Sequence, residues 1–137
     1  MSSNTKPIGV AYADQEINGS DVILSDRELG YTTAAQGTVT QATSKSTAVT
    51  LNKSAGRITM NAASLAATTN VSFTLNNNLI STNDVLILNV AAGATAASYN
   101  LWVDSLGNGT ASITLRNTTA GALAEAVGIN FALIHCR

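Results

Sequence analysis

Charge is the first property that this chain has little of. Only 15 of its 137 residues are Asp, Glu, Lys or Arg, and the formal net charge at pH 7 is −1. An average domain of this length carries about 34 charged residues. Because the acidic and basic residues nearly balance, the chain has no excess of basic residues of the kind that binds nucleic acid through its phosphates. We therefore predict no nucleic-acid partner.

Cysteine, histidine and long apolar runs are equally scarce. The single cysteine, Cys136, excludes a disulfide within the chain and a multi-cysteine zinc site, and the single histidine, His135, excludes a histidine cluster. No apolar run approaches the ~20 residues that span a bilayer. The first residues lack the apolar core of a secretory signal. We predict no metal, no cofactor and no membrane segment.

Small polar and apolar residues are what the chain has instead. Ser, Thr and Asn supply 45 residues and Ala supplies 22. Because 45% of the residues are hydrophobic and the net charge is near zero, the composition does not fit a disordered chain. The length suits one domain of about 100–200 residues.

Residues 1–35 differ in composition from the rest. They hold 7 of the 15 charges, with a net charge of −3, and the only proline, Pro7, whereas the remaining residues carry +2. Two short apolar segments, 8–10 and 22–24, stand among polar residues without a sustained period. We predict an extended N-terminal arm over residues 1–35. The alternative is that this segment forms an edge hairpin of the same domain.

From residue 36 onward the chain alternates short strands with turns. Val71, Phe73 and Leu75 alternate with polar residues, the period-two pattern of a strand that buries one face. The segment 84–90 is apolar on both faces, which predicts a central strand covered on both sides. Clusters containing Gly or Asn separate the segments. The pattern predicts eight strands, over 37–41, 47–51, 57–61, 71–75, 84–90, 99–103, 111–116 and 126–134.

Eight short strands without long helices between them predict an all-β fold. We expect residues 36–137 to form an antiparallel β-sandwich or a jelly-roll-like barrel. Two further segments, 61–68 and 120–125, are rich enough in Ala and Leu to suggest helix. Each is too short to be stable as a helix without packing, so we predict loops.

No arrangement of residues indicates catalysis. His135 and Cys136 are adjacent, so in a strand their side chains point to opposite faces and cannot form a nucleophilic pair. The chain has no Gly-x-Ser-x-Gly motif. Asp84 and Asp104 each flank a predicted strand, where a carboxylate commonly ends the strand or bonds a turn. We predict that the protein is not an enzyme and has no catalytic residues.

Two aromatic residues of one predicted strand are candidates for an exposed interface or a ligand contact. Trp102, the only tryptophan, lies between Leu101 and Val103, so a strand points its side chain away from both. If these neighbours are core, the indole is displayed outward, where it serves a subunit interface or a ligand. The alternative is that Trp102 itself is core. Tyr99, on the opposite face of the strand, is the second candidate.

The low charge has two explanations. Residues 37–137 contain only eight charged side chains, and none lies between Arg57 and Asp84. A surface that is buried against copies of itself, or against a larger assembly, avoids the cost of desolvating charge, and strand edges without charge are open to pairing with other chains. The alternative is an ordinary soluble β-domain with a neutral, hydroxyl-rich exterior.

Six short blocks of sequence form a recognisable series when they are taken in order: 37–47, 49–52, 56–61, 71–75, 117–126 and 129–134. The series resembles a module found in structural proteins of tailed bacteriophages, and the resemblance covers about residues 30–135. It implies a virion role, as a small β-rich protein that decorates or cements the head, or that forms a fibre or knob. It carries no catalytic residues with it.

Composition and resemblance lead to one hypothesis. The β-domain, expected as a homotrimer made in the host cytoplasm, sits on the capsid surface against the major capsid protein or another virion protein. Many weak contacts add together there because the lattice presents them at once. The alternative is a receptor-binding knob or fibre domain that recognises a host-surface glycan through Trp102 or Tyr99. The predicted partner contacts of the arm are its apolar residues, Ile8, Val10, Val22, Ile23 and Leu24.

Overall fold

The computed structural model describes Asp26 and residues 28–136, and the predicted arm contacts at positions 8, 10 and 22–24 lie outside the described residues. One compact unit extends over Tyr31–Arg137. No helix in the described part of the chain is long and apolar enough to cross a membrane. The elements are a 3-10 helix, η1 (Thr33–Ala35), and the strands β1 (Gln36–Thr40), β2 (Val49–Thr50), β3 (Ala55–Thr59), β4 (Asn70–Asn76), β5 (Val85–Ala92), β6 (Tyr99–Gly107), β7 (Thr110–Asn117) and β8 (Gly128–Ile134).

The strands form two four-stranded sheets. Sheet A has the order β1-β3-β8-β5, and sheet B has the order β2-β4-β7-β6. The inward residues of both sheets form one core, in which Ile58 and Ile129 of sheet A and Ile113 and Leu115 of sheet B are fully buried. The predicted all-β sandwich is confirmed.

Alternating apolar residues explain why these segments form strands. On β4, Phe73 is 3% exposed and Leu75 is fully buried, while Thr74 between them points to the outer face. The same period buries Leu133 on β8. A strand therefore lies at each of the eight predicted segments, with bounds that differ by a few residues. The largest differences are β6, which continues to Gly107, and β2, which has only two residues.

Each sheet contains one parallel pair of strands. β1 pairs with β3 in parallel, and β2 pairs with β4 in parallel, whereas the remaining pairs are antiparallel. Parallel neighbours need a crossover between them. Here the crossover between β1 and β3 contains β2, which belongs to the other sheet. The sheets are therefore mixed rather than antiparallel throughout.

β5 occupies an edge of sheet A, so the prediction of a central strand covered on both sides is wrong. Leu86 points into the core and is 7% exposed. Val85 and Ile87 point to the outer face, and each is 49% exposed. The strand is apolar on both faces although the structure covers only one of them.

The two segments that have some helical character are loops, as predicted. They are joined by an isolated bridge between Leu65 and Leu123, whose backbone N–H groups donate to each other's carbonyl oxygens at 2.8 and 3.0 Å. Exchanging backbone bonds in this way satisfies peptide groups that a helix would have satisfied internally.

Tyr31 begins the compact unit, five residues before residue 36, where the sequence predicts that the domain begins. Its hydroxyl donates a hydrogen bond to the carbonyl oxygen of Leu133 near the end of β8. The helix η1 then leads directly into β1. This bond anchors the first residues of the unit to the centre of sheet A.

Candidate functional site: the two outer faces of the sandwich

The outer face of sheet A carries exposed aliphatic side chains beside its β5 edge. Val85 lies opposite Ile134 on β8, and Ile87 lies opposite Ala132. The three branched side chains are 49%, 47% and 49% exposed, respectively, for Val85, Ile134 and Ile87. We call these four residues the aliphatic patch. Contiguous apolar surface of this kind is typical of a protein interaction site.

The edge beside the aliphatic patch has few of the usual protections. Strand β5 (Val85–Ala92) contains no charged residue and no proline, although both are common defences of sheet edges. A register shift against β8 interrupts the strand only between Val90 and Ala92. The first six residues of β5 therefore present a regular, uncharged edge to which another polypeptide can add.

The opposite half of the same outer face is polar. A shallow depression of about 490 Å³ is lined there by η1, β1, β3 and β8. Arg57 and Asn130 are among the residues that line the depression, and Nε of Arg57 donates to Oδ1 of Asn130 at 2.9 Å. Sheet A therefore changes from polar at β1 and β3 to aliphatic at β8 and β5.

Two of the few charged side chains are not available at the surface. Lys45 is 3% exposed, and its Nζ donates to the carbonyl oxygens of Asn61, at 2.7 Å, and Glu125. Burial lowers the pKa of Lys45, and the negative charge of Glu125 partly opposes this shift. Asp84 is 7% exposed. The exterior is therefore even poorer in charge than the composition indicates.

Asp84 fastens the end of the chain to the start of β5. Its carboxylate accepts the backbone N–H of Ser81 at 2.8 Å and that of Cys136 at 3.1 Å, and Nδ1 of His135 lies 3.0 Å from Oδ2. These bonds, chiefly the one from Ser81, lower the pKa of Asp84 to about 2. Within residues 28–136, the contact between His135 and Asp84 is the one contact between a carboxylate and the side chain of a basic residue.

Trp102 points to the outer face of sheet B and is 37% exposed, whereas its neighbours Leu101 and Val103 pack against the core. The structure therefore displays the indole outward. Around it the sheet is hydroxyl- and amide-rich, because the outward residues of β4 and β7 are all Asn, Ser, Thr or Arg. Trp102 is the one large apolar side chain among them.

A hydrogen-bond network holds the Trp102 side chain in place. Its Nε1 donates to Oδ1 of Asp104 at 2.7 Å, and the hydroxyl of Thr114 donates to Oδ2 of the same carboxylate. Ser72 Oγ lies 2.6 Å from Thr114 Oγ1 and supplies its proton, since the Thr114 proton is already donated. The Thr114 bond, followed by those from Trp102 and Ser112, lowers the pKa of Asp104.

Asp104 lies two residues after Trp102 on β6, so the alternation of a strand points both side chains to the outer face. The pairing with β7 shifts register between Val103 and Ser105, which leaves Asp104 as the extra residue of a bulge. The sequence suggested only that Asp104 ends a strand, and no pattern in it indicated that the strand continues to Gly107.

Tyr99, the second aromatic candidate, is not exposed as expected. It packs against the core cluster, and its hydroxyl is buried beside Glu125. Burial and then the carboxylate of Glu125 raise the pKa of Tyr99 to about 12. The side chain packs beside the β5–β6 connection.

The sequence therefore identified Trp102 but missed the other features of these two faces. The aliphatic patch had a signal, the two-sided apolar pattern of 84–90, which was read as burial. In the part of the chain that the structure describes, no three His, Cys, Asp or Glu side chains are grouped to hold a metal ion. Comparisons of this chain with protein-family models, with curated proteins and with solved structures find no match.

Proposed function

We propose that this chain is a structural protein of a tailed-bacteriophage virion, which decorates or cements the capsid from its outer surface. The aliphatic patch on the regular edge of β5 is the observation that carries the proposal. Such an edge on an isolated domain is open to unwanted pairing. In a protein that functions within an assembly, the same edge is covered by a neighbouring subunit.

Each residue of the aliphatic patch contributes a modest free energy to association. Fully burying a Val or Ile side chain is worth about 1.5–3 kcal/mol, so each half-exposed patch residue has roughly 1 kcal/mol still to gain. Association entropy offsets several such contacts in a lone pair of molecules. In a closed trimer, and further on a capsid lattice, several identical contacts are engaged at once and the total becomes favourable.

The low surface charge supports the same function. A covered surface loses no hydration of ionised groups when it is poor in them, and two of the charged side chains of the unit, Lys45 and Asp84, are already buried. The ordered resemblance to structural modules of tailed phages directs the proposal to the capsid and to a homotrimer. The partner is the major capsid protein or another virion protein.

Sedimentation velocity of the full-length protein tests the association. We expect the wild type to sediment as a trimer and Ile87→Lys to sediment as a monomer, because the new ammonium would have to be desolvated in the patch. The matched control is Thr40→Lys, which adds the same charge to the same outer face at the opposite edge strand, β1. It should remain trimeric.

Binding to phage heads tests the location. Heads assembled without the protein should take up the wild type and Thr40→Lys, and should take up Ile87→Lys at least tenfold less. A monomeric wild type, or equal uptake of all three proteins, would contradict the role of the patch. Absence of the protein from density maps of the capsid would contradict the proposal itself.

A further inference from the structure

We propose that the outer face of sheet B binds a glycan, with the Trp102 indole as the stacking platform and the Asp104 carboxylate as the acceptor for sugar hydroxyls. The inference rests on different residues from the capsid role and does not depend on it. A pyranose ring has an apolar C–H face and a polar rim of hydroxyls. The site must therefore offer a flat aromatic surface beside fixed hydrogen-bonding groups.

Thr114 shows how the indole lies. It is the cross-strand partner of Trp102 and points to the same outer face, yet it is only 3% exposed. The side chains of Trp102 and Asp104, which bond to each other and surround it, therefore cover it. Trp102 itself remains 37% exposed, so part of the indole is open to solvent.

The platform is fixed before any ligand arrives. The indole N–H is held by Asp104, which Thr114 holds in turn, and Thr114 is held by Ser72. A side chain already restrained in its bound rotamer loses less entropy on binding. For a tryptophan without these restraints, the entropy lost when the side chain is ordered would offset more of the stacking free energy.

Asp104 retains capacity for a ligand. A carboxylate offers about four acceptor positions, of which Oδ1 uses one for Trp102 and Oδ2 uses two for Thr114 and Ser112. The remaining position on Oδ1 is next to the indole, and Asp104 is exposed. Hydrogen bonds to an ionised acceptor are about twice as strong as neutral ones. A sugar hydroxyl beside the stacked ring is a suitable donor.

The next row of the sheet supplies a polar rim. Arg116 lies two residues beyond Thr114 on β7, with Asn70 opposite it on β4 and Asn100 opposite it on β6. All three are exposed. Their amides and guanidinium offer both donors and acceptors to hydroxyl groups.

The surroundings favour a glycan over a protein partner. An aromatic hot spot in a protein interface sits in a well-packed, desolvated centre. Here the outward residues of β4 and β7 are hydroxyl, amide or guanidinium side chains, and none is aliphatic. The aliphatic patch lies on the other sheet.

Glycan binding can be measured on the full-length wild type because Trp102 is the only tryptophan in the chain. The probes are oligosaccharides terminated by glucose, galactose, mannose or N-acetylglucosamine, first on an array and then in titrations followed by tryptophan fluorescence. We expect saturable binding of at least one class with a change in Trp102 emission. The variants are compared by calorimetric titration, which does not depend on a tryptophan signal. Binding should be weakened at least tenfold by Trp102→Ala, less by Trp102→Phe, and about tenfold by Asp104→Ala.

The control is Leu79→Ala, which removes an apolar side chain of similar exposure, 40%, from the β4–β5 connection. It should bind as the wild type does, and circular dichroism checks that each variant is folded. No binding of any probe by the wild type, or undiminished binding by Trp102→Ala, overturns the inference. So does a change in sedimentation of Trp102→Ala without a change in glycan binding, which would make the face a protein interface. None of these results bears on Ile87→Lys and the capsid role.

Discussion

Asp84 illustrates how a single charged residue serves the fold in a chain that has few of them. Its carboxylate accepts two backbone N–H groups, from Ser81 and Cys136, and lies beside His135. Residues far apart in the sequence therefore depend on one ionised side chain. Protonating it removes the negative charge that these donors stabilise.

The lowered pKa predicts a dependence of stability on pH. The pKa of Asp84 is about 2 in the folded protein, against 3.8 ordinarily, so its contribution is complete above about pH 4 and is lost as the pH falls towards 2. In Asp84→Asn the urea midpoint should be lower at pH 7, and it should fall less than that of the wild type between pH 4 and pH 2. The measurement is urea unfolding at a series of pH values.

Glu28→Gln, which removes an exposed carboxylate, should follow the wild type over the same range. Parallel curves for the wild type and Asp84→Asn would show that the carboxylate contributes nothing through its ionisation.

At the scale of elements, one asparagine decides the conformation of two loops. Asn117, the last residue of β7, is fully buried. Its Nδ2 lies 3.1 Å from the carbonyl oxygens of Leu65 and Ala66 and 2.8 Å from that of Gly121, while its Oδ1 accepts from Thr119. These contacts hold together the two segments whose composition suggested helix.

We therefore expect Asn117→Ala to destabilise the sandwich strongly. The substitution removes the hydrogen bonds of the buried amide to both loops, each of which contributes about 0.5–1.5 kcal/mol. A total loss of at least about 2 kcal/mol in the free energy of unfolding should appear in urea denaturation. Asn89→Ala, at an exposed position on β5, should change it by less than about 0.5 kcal/mol. Equal stabilities for these two variants would contradict the role of Asn117.

Strand β5, also considered as an element, is apolar on both faces although it lies at a sheet edge. Local hydrophobicity shows that both faces of a strand favour burial, but it does not say what buries each face. The folded chain covers Leu86 and leaves Val85 and Ile87 half-exposed. A two-sided apolar strand at a sheet edge therefore indicates burial in an assembly as readily as burial in a core.

At the scale of the whole molecule, the two outer faces are chemically different. The outer face of sheet A ends in the aliphatic patch, and that of sheet B carries Trp102 among polar side chains. We propose that the first face associates with virion subunits and that the second recognises a glycan. The two functions can coexist because the sandwich separates the two faces.

The role of the predicted N-terminal arm is also a property of the whole molecule. The compact unit begins at Tyr31, so deletion of residues 1–30 should leave its cooperative unfolding intact. We expect the truncated protein to bind phage heads at least tenfold more weakly, because the apolar residues of segments 8–10 and 22–24 are lost as partner contacts. Head-binding assays with the full-length and truncated proteins measure this effect. Unchanged binding would refute the role of the arm.

The sequence by itself determined the class of fold and the position of each strand, because alternation of apolar and polar residues is a local property that one buried face imposes. It also determined that Trp102 points away from Leu101 and Val103. Only the tertiary structure decided which strands are edges, which pairs are parallel and that the Asp104 carboxylate bonds both Trp102 and Thr114. These depend on contacts between residues far apart in the chain, including a bulge in β6 and the buried bonds of Asn117, and no local pattern records them.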